Sequence, residues 1–351
     1  MKQFKLNYLI TALTFVVLLA SCKKNDPVFT LPTQGVYVLN QGNFTNTNST
    51  LTYYDYLAKT TSPDIYQSVN GKKIGDTGND IGIYGSKMYL VMNGSDLVTV
   101  ANAKTAALTK QITIASPRFV VFYDKSAFVT SYNGTVSVID TASLAITKTI
   151  TVGHAPEQMA ISNGKLYVAN SGGLDYPNFD KTVSVIDLNT LTETKKITVT
   201  DNPISLAADA YNNVYVLSLG NYAATTPSVA PGLTIINTTT DVVKSKPAVS
   251  VGYNIPIIVQ GDYVYFPTAD NKITMFNAKT QAFEKANFIT DGTVITNPFA
   301  IAFDNLTKNI FVADAKDYNS NGTLTAFDAT GKKVYTVTTG INPGKIAFIN
   351  K

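Results

Sequence analysis

Val136-Ser137-Val138-Ile139-Asp140 returns unchanged as Val183-Ser184-Val185-Ile186-Asp187, and this repeat decides the fold. β-branched residues alternating with small polar ones suit strands packed between neighbouring sheets. The closing Asp can accept hydrogen bonds from its own following backbone and start a turn. Looser copies of the segment end at Asp55, Asn102, Asn237, Asn277 and Asp328, which makes seven. A second signature, apolar-aromatic-apolar, runs ahead of each: Val36-Tyr37-Val38, Met88-Tyr89-Leu90, Ala127-Phe128-Val129, Leu166-Tyr167-Val168, Val214-Tyr215-Val216, Val264-Tyr265-Phe266 and Ile310-Phe311-Val312. Two independent patterns give the same number.

Turn-forming residues at Asp80, Pro117, Pro156, Pro203, Pro256, Pro298 and Pro343 open the units, with gaps of 37 to 53 residues. That spacing is close to the ~40–45 residues of a four-stranded propeller blade. The last segment, Asn342 to Ile349, matches only an opening strand, and the segment from Gly35 has the later strands without an opener. The expectation is an all-β, seven-bladed β-propeller over 35–351, its ring closed by pairing the N- and C-terminal strands. Closure leaves no blade with an unpaired inner edge.

The chain begins with an address. Lys2 and Lys5 precede an apolar run from Leu6 to Ala20. This suits a signal peptide and falls short of the roughly 20 residues that span a bilayer. The run ends in Leu19-Ala20-Ser21-Cys22, which resembles the lipobox of bacterial lipoproteins. That likeness implies a signal peptide over 1–21, acylation of Cys22 and a lipid-anchored tether over 22–34. Cys22 is the only cysteine, so the domain beyond it has no internal disulfide. Without Lys2 and Lys5 the chain carries 26 basic and 24 acidic residues, too near neutral for a nucleic-acid partner. The membrane is expected to be met through the lipid alone, by a monomeric propeller.

Val-Ser-Val-Ile-Asp, Leu166-Tyr167-Val168-Ala169-Asn170 and Ile150 to Pro156 resemble the repeats of YncE-like propellers. With Ser21-Cys22-Lys23-Lys24 added, the chain resembles the propeller surface lipoproteins of Bacteroidetes, a group that includes cobalamin-capturing proteins. The resemblance implies an outer-membrane location, exposed at the cell surface or facing the periplasm, and a TonB-dependent transporter as partner. Ligand identity does not follow, because propellers share a scaffold and differ in their loops.

Strand alternation puts the loop into each first strand and the loop between second and third strands on one face. Four of the latter are long: Gln41 to Thr50 with Phe44; Ser171 to Lys181 with Asp175, Tyr176, Phe179 and Asp180; Leu219 to Gly232 with Tyr222; and Ala315 to Gly322 with Asp317 and Tyr318. Loops longer than a hairpin needs are often functional, and aromatics with polar neighbours suit stacking on a ring or sugar face. Tyr132, beside the Asn133-Gly134 turn, joins the candidates. Near the channel mouth stand Asp80 and Arg118, the only arginine, with Glu157 in the matching place one unit on. Arg118 either presents a forked donor to a ligand or bridges to Glu157.

Catalysis is short of parts. His154 is the only histidine and there is no tryptophan. His154 is therefore expected to touch ligand, if it acts at all, and no cofactor is expected. Asp317, Asn319 and Asn321 fit the start of a calcium loop, against a plain Asn-Gly hairpin. The leading expectation is a non-catalytic lipoprotein that captures a corrinoid, glycan or other small molecule. An adhesion or protein-interaction module is the alternative, and a propeller hydrolase the third.

Overall fold

The computed structural model describes residues 34–350 apart from 174, 223–226 and 254–255. The signal peptide, Cys22 and all of the tether but Gln34 lie outside the described residues. What is described is all-β but for two short helical turns: seven four-stranded antiparallel sheets, six of which follow the chain from the innermost strand outward. Blades 2 to 7 start at Gly78, Pro117, Pro156, Pro203, Ile258 and Pro298. Blade 1 is split. Its inner strand is the last of the chain, Pro343–Asn350, paired with Gln34–Asn40 so that Val38 faces Ile346. The inner strands pack in sequence around the axis, and Pro343–Asn350 touches both Gly78–Tyr84 and Pro298–Phe303. The ring is closed.

Burial explains the two repeated signatures. The second strand of each blade is covered on both faces, so Met88–Met92 and Leu166–Asn170 are buried throughout. Third strands such as Thr135–Asp140 are buried except at their ends. Outer strands keep a single inward residue, such as Ile112, Ile150 and Ile197, because water covers the rest. Apolar clusters form between blades: Tyr89, Val91 and Val100 of blade 2 pack against Val120 and Val129 of blade 3.

The central aromatic of the second strand also latches blades together. Tyr37 donates to the Ala103 carbonyl of blade 2 (2.9 Å), and Tyr167 donates to Asp241 Oδ1 of blade 5 (2.5 Å). The seven strand-ending Asp and Asn residues close the turns that follow. Asp140 Oδ1 accepts from the Ala142 and Ser143 amides, Asp187 Oδ1 from those of Asn189 and Thr190, and Asn277 Oδ1 from those of Lys279 and Thr280.

Two alignments are corrected. Ile258 pairs with Tyr265 as Gly82 pairs with Tyr89 and Ala302 with Phe311, so Pro256, like Asp80, stands two places beyond the opening position. The opener of blade 2 is Gly78, not Asp80. Gly78 follows left-handed Thr77 (φ 52°), as Pro117 follows Ser116 (43°), Pro156 follows Ala155 (44°) and Pro203 follows Asn202 (58°). Asn79, rather than Ile81, therefore matches Arg118. Asp80 sits one place further along, where it accepts the Val120 amide of blade 3 at 2.8 Å.

Candidate functional site

The lead-in loops and the second-to-third loops meet on one face, as strand alternation requires. The Tyr132 amide donates to the Ser116 carbonyl, Gly172 to His154, Leu219 to Asn202, and Ala315 to Asn297, at 2.9 to 3.1 Å. Two of the long loops are pinched at their base by left-handed glycines. A Cβ on Gly172 (φ 62°) would meet the Asp180 amide at 2.3 Å, and one on Gly220 (φ 67°) would meet the Val229 carbonyl at 2.1 Å. Only glycine tolerates both the conformation and the approach.

These pinches aim the loop aromatics at each other. Phe179 stands edge-on to both Tyr176 (5.8 Å between centroids) and Tyr222 (5.5 Å), and Tyr222 lies 6.4 Å from Tyr253. The result is a row of four rings crossing from blade 4 over blade 5 to the loop that enters blade 6. Tyr176, Tyr222 and Tyr253 stay 64%, 46% and 74% exposed. Burial, then neighbouring Tyr253, pushes the Tyr222 phenol up to about 12, so it stays protonated in any physiological range. Its oxygen accepts a long hydrogen bond from Asn202 Nδ2 (3.4 Å).

Tyr253 also lines a cavity of about 560 Å³ at the ring axis, walled by the inner strands. Arg118 is on that wall and is tied by two bonds to Glu157, Nε to Oε2 at 2.9 Å and Nη2 to Oε1 at 3.2 Å. Tyr132 Oη donates to the same Oε1 (2.6 Å), and its ring lies 4.4 Å from the guanidinium carbon. Burial pulls the Arg118 pKa down, but Glu157 and Tyr132 together outweigh it and the group is held more firmly charged than usual. Burial and Glu157 raise the Tyr132 phenol. The sequence left two roles open for Arg118, and the bridge to Glu157 is formed. On the neighbouring inner strands Asp80 pairs with Lys345 at 3.7 Å, and burial raises the Asp80 carboxyl despite that partner.

The other candidates serve the loops. Asp180 Oδ2 accepts the His154 amide (3.0 Å), and Oδ1 accepts from the Lys181 amide and the Thr182 hydroxyl. The His154 residue is exposed at the rim. Asp317 accepts from the Asn319 and Ser320 amides and from Ser320 Oγ, while Asn319 folds back onto the Asp317 carbonyl. Asn321 opens the third strand of blade 7. Among the described residues no three His, Cys, Asp or Glu gather as metal ligands. The Tyr318 ring meets Phe299 of the cavity wall at 6.1 Å, on the blade 7 side and apart from the row. Phe44 is 70% exposed on the blade 1 loop, also outside the row.

Tyr253, Lys345 and Gln158 were missed by sequence reasoning. The signal for Tyr253 was the 53-residue gap from Pro203 to Pro256, the longest between expected openers, which leaves room for an irregular loop. Lys345 and Gln158 stand two places after their openers, like Asp80 after Gly78, one place beyond the position that drew attention to Arg118.

Solved structures share the architecture. Hydrazine synthase of Kuenenia stuttgartiensis aligns with a TM-score of 0.63 at 16% identity, over 76% of this chain and 88% of that one. A quinonprotein alcohol dehydrogenase-like protein from Bacteroides thetaiotaomicron aligns with a TM-score of 0.66 at 19% identity, over 91% and 79%. At such identities the likeness is one of fold. A search of curated proteins returns no match. Residues 34–342, nearly the whole ring, match a single family, and the chain belongs to it: the DUF5074 family, described as a domain of unknown function.

Proposed function

We propose that this propeller binds a ring-bearing small molecule or glycan on the aromatic row and does no chemistry on it. One observation carries the reading: four rings from three loops converge beside a polar cavity, and three of them remain exposed. Exposed aromatics held this way offer area for stacking at little entropic cost, since their loops are already pinched. The arrangement of the charged groups supports the non-catalytic half. Glu157 is spent on Arg118 and Tyr132, and Asp180 and Asp317 on their own loops. In this reading the chain hangs from acylated Cys22 at the outer membrane. It holds its ligand, a corrinoid or a glycan, for a TonB-dependent transporter.

The test is titration calorimetry with cyanocobalamin and with pyranose oligosaccharides, on the protein and on Tyr176→Ala/Tyr222→Ala. Each lost stacking contact is worth about 1 kcal/mol, so the double variant should bind at least about tenfold more weakly. Its melting temperature should barely move, because both rings are exposed. Equal binding by the variant would refute the row as the site.

A further inference from the structure

Three hydrogen-bond donors on the wall of the central cavity are only partly used by the protein: Arg118, Lys345 and Gln158. Glu157 is 2% exposed and absent from the wall; its two oxygens are taken by Arg118 and Tyr132. The Nη1 edge of the Arg118 guanidinium is thereby turned away from its carboxylate. Asp80 spends Oδ2 on the Val120 amide and meets Lys345 only through Oδ1, at 3.7 Å, longer than a hydrogen bond. Gln158, also on the wall, uses Oε1 to accept the Leu206 amide (3.2 Å), which leaves its amide nitrogen for the cavity. The two cations flank one ring: Lys345 Nζ lies 4.9 Å and Arg118 Cζ 5.8 Å from the Phe119 centroid.

We propose that the cavity is an oxyanion subsite, in which Arg118, Lys345 and Gln158 hold a carboxylate or phosphate group of the ligand. A group with several acceptor oxygens and a negative charge matches these donors, and charge-assisted bonds of this kind are the strong ones. The subsite deepens the reading above, resting on it for the ring half of the ligand, and narrows the ligand to an acidic ring compound.

Free anions test the subsite without the ring. Arg118 is the only arginine, so its Nε–H gives one assignable NMR resonance. Acetate, citrate and inorganic phosphate are titrated into the protein, into Lys345→Met and into Gln158→Glu. Gln158→Glu keeps the oxygen that accepts the Leu206 amide and adds a repelling charge, so it answers even if Lys345→Met misfolds around the unpaired Asp80. The expected result is a saturable shift of the Arg118 signal with at least one anion, weakened about tenfold or more in Gln158→Glu. Saturation by phosphate alone assigns a phosphate group, and saturation by the carboxylates alone assigns a carboxylate. No saturable shift with any of the three, or an undiminished one in Gln158→Glu, overturns the proposal. Neither result depends on the aromatic row, so failure here is distinct from failure of the stacking site.

Discussion

Val38 and Ile346, from opposite ends of the propeller, sit across from each other in blade 1, and their pairing turns seven sheets into a ring. Val36, Val38 and Leu39 are buried to within 1% of completely, with Pro343–Asn350 as the cover on their inner edge. The last strand therefore acts on the whole fold rather than on one blade.

Removal of residues 343–351 should accordingly unfold the ring rather than fray it. The deletion exposes the inner edge of Gln34–Asn40 and strips buried Ala347 and Ile349 from the core. Ile349 alone is worth about 1.5–3 kcal/mol. With part-buried Ile346 and Phe348 and the whole β-ladder to Gln34–Asn40 lost as well, the total approaches the roughly 5–15 kcal/mol that holds a domain together. Near-UV circular dichroism should lose its tertiary signal and size exclusion should show aggregate. A truncated chain that melts cooperatively as a monomer would contradict this account of closure.

The blade latches predict opposite outcomes for one chemical change. The Tyr167 hydroxyl bonds Asp241 across a blade boundary, whereas the buried Tyr89 hydroxyl has no partner among the described residues. Tyr167→Phe should destabilise the protein by about 1–3 kcal/mol, since a bond to a charged acceptor is lost. Tyr89→Phe should be neutral or stabilise by about 1 kcal/mol, since an unsatisfied group is removed. Urea denaturation of the pair measures both; equal losses would show that the bond to Asp241 does not set the Tyr167 hydroxyl apart from the unpartnered one of Tyr89.

The fold was legible and the site only half so, for a physical reason. Every blade solves one packing problem, so the same strands recur, and Tyr37, Phe128 and Tyr215 could be superposed by eye. Where the rule is read too literally, it slips: Asp80 looks like a turn residue, but in blades 1 to 5 the place is taken by the residue after a left-handed one, and Gly78 fills it in blade 2. The loops have no repeat to read. That Phe179 would touch Tyr222 depends on how Gly172 and Gly220 pinch two separate loops, and Tyr253 lies in the irregular connection between Ser245 and Ile258, where no strand pattern governs. Arg118 and Glu157 were found as neighbours because they occupy equivalent strand positions, where the repeat still governs.

That pair makes a third prediction. The Arg118 and Glu157 side chains are 16% and 3% exposed, so their bond is shielded from water. Glu157→Leu strands a charged guanidinium and should lose about 3 kcal/mol or more. Arg118→Met/Glu157→Leu removes both charges and should recover most of that loss, to within about 1 kcal/mol of the parent. A double-mutant cycle gives the coupling directly. Additive losses would mean that the two side chains do not sense each other.

The blade 7 loop offers a pH signature. The Asp317 carboxylate accepts from the Ser320 amide at 2.7 Å, from Ser320 Oγ at 2.7 Å and from the Asn319 amide at 3.0 Å, and these bonds hold its pKa down at about 2 against an ordinary 3.8. A lowered carboxyl pKa stabilises the folded loop above the ordinary value, and the contribution fades as pH falls through the folded one. The turn that carries Tyr318 should thus be unchanged from pH 7 to pH 4 and loosen only as pH approaches 2. NMR titration of the Asp317 carboxyl carbon and the Ser320 amide, in the acid range where the ring is still folded, reads this directly. A midpoint near 3.8 would mean that the three donors do not hold the carboxylate in solution, and Tyr318 would then lose its fixed place beside Phe299.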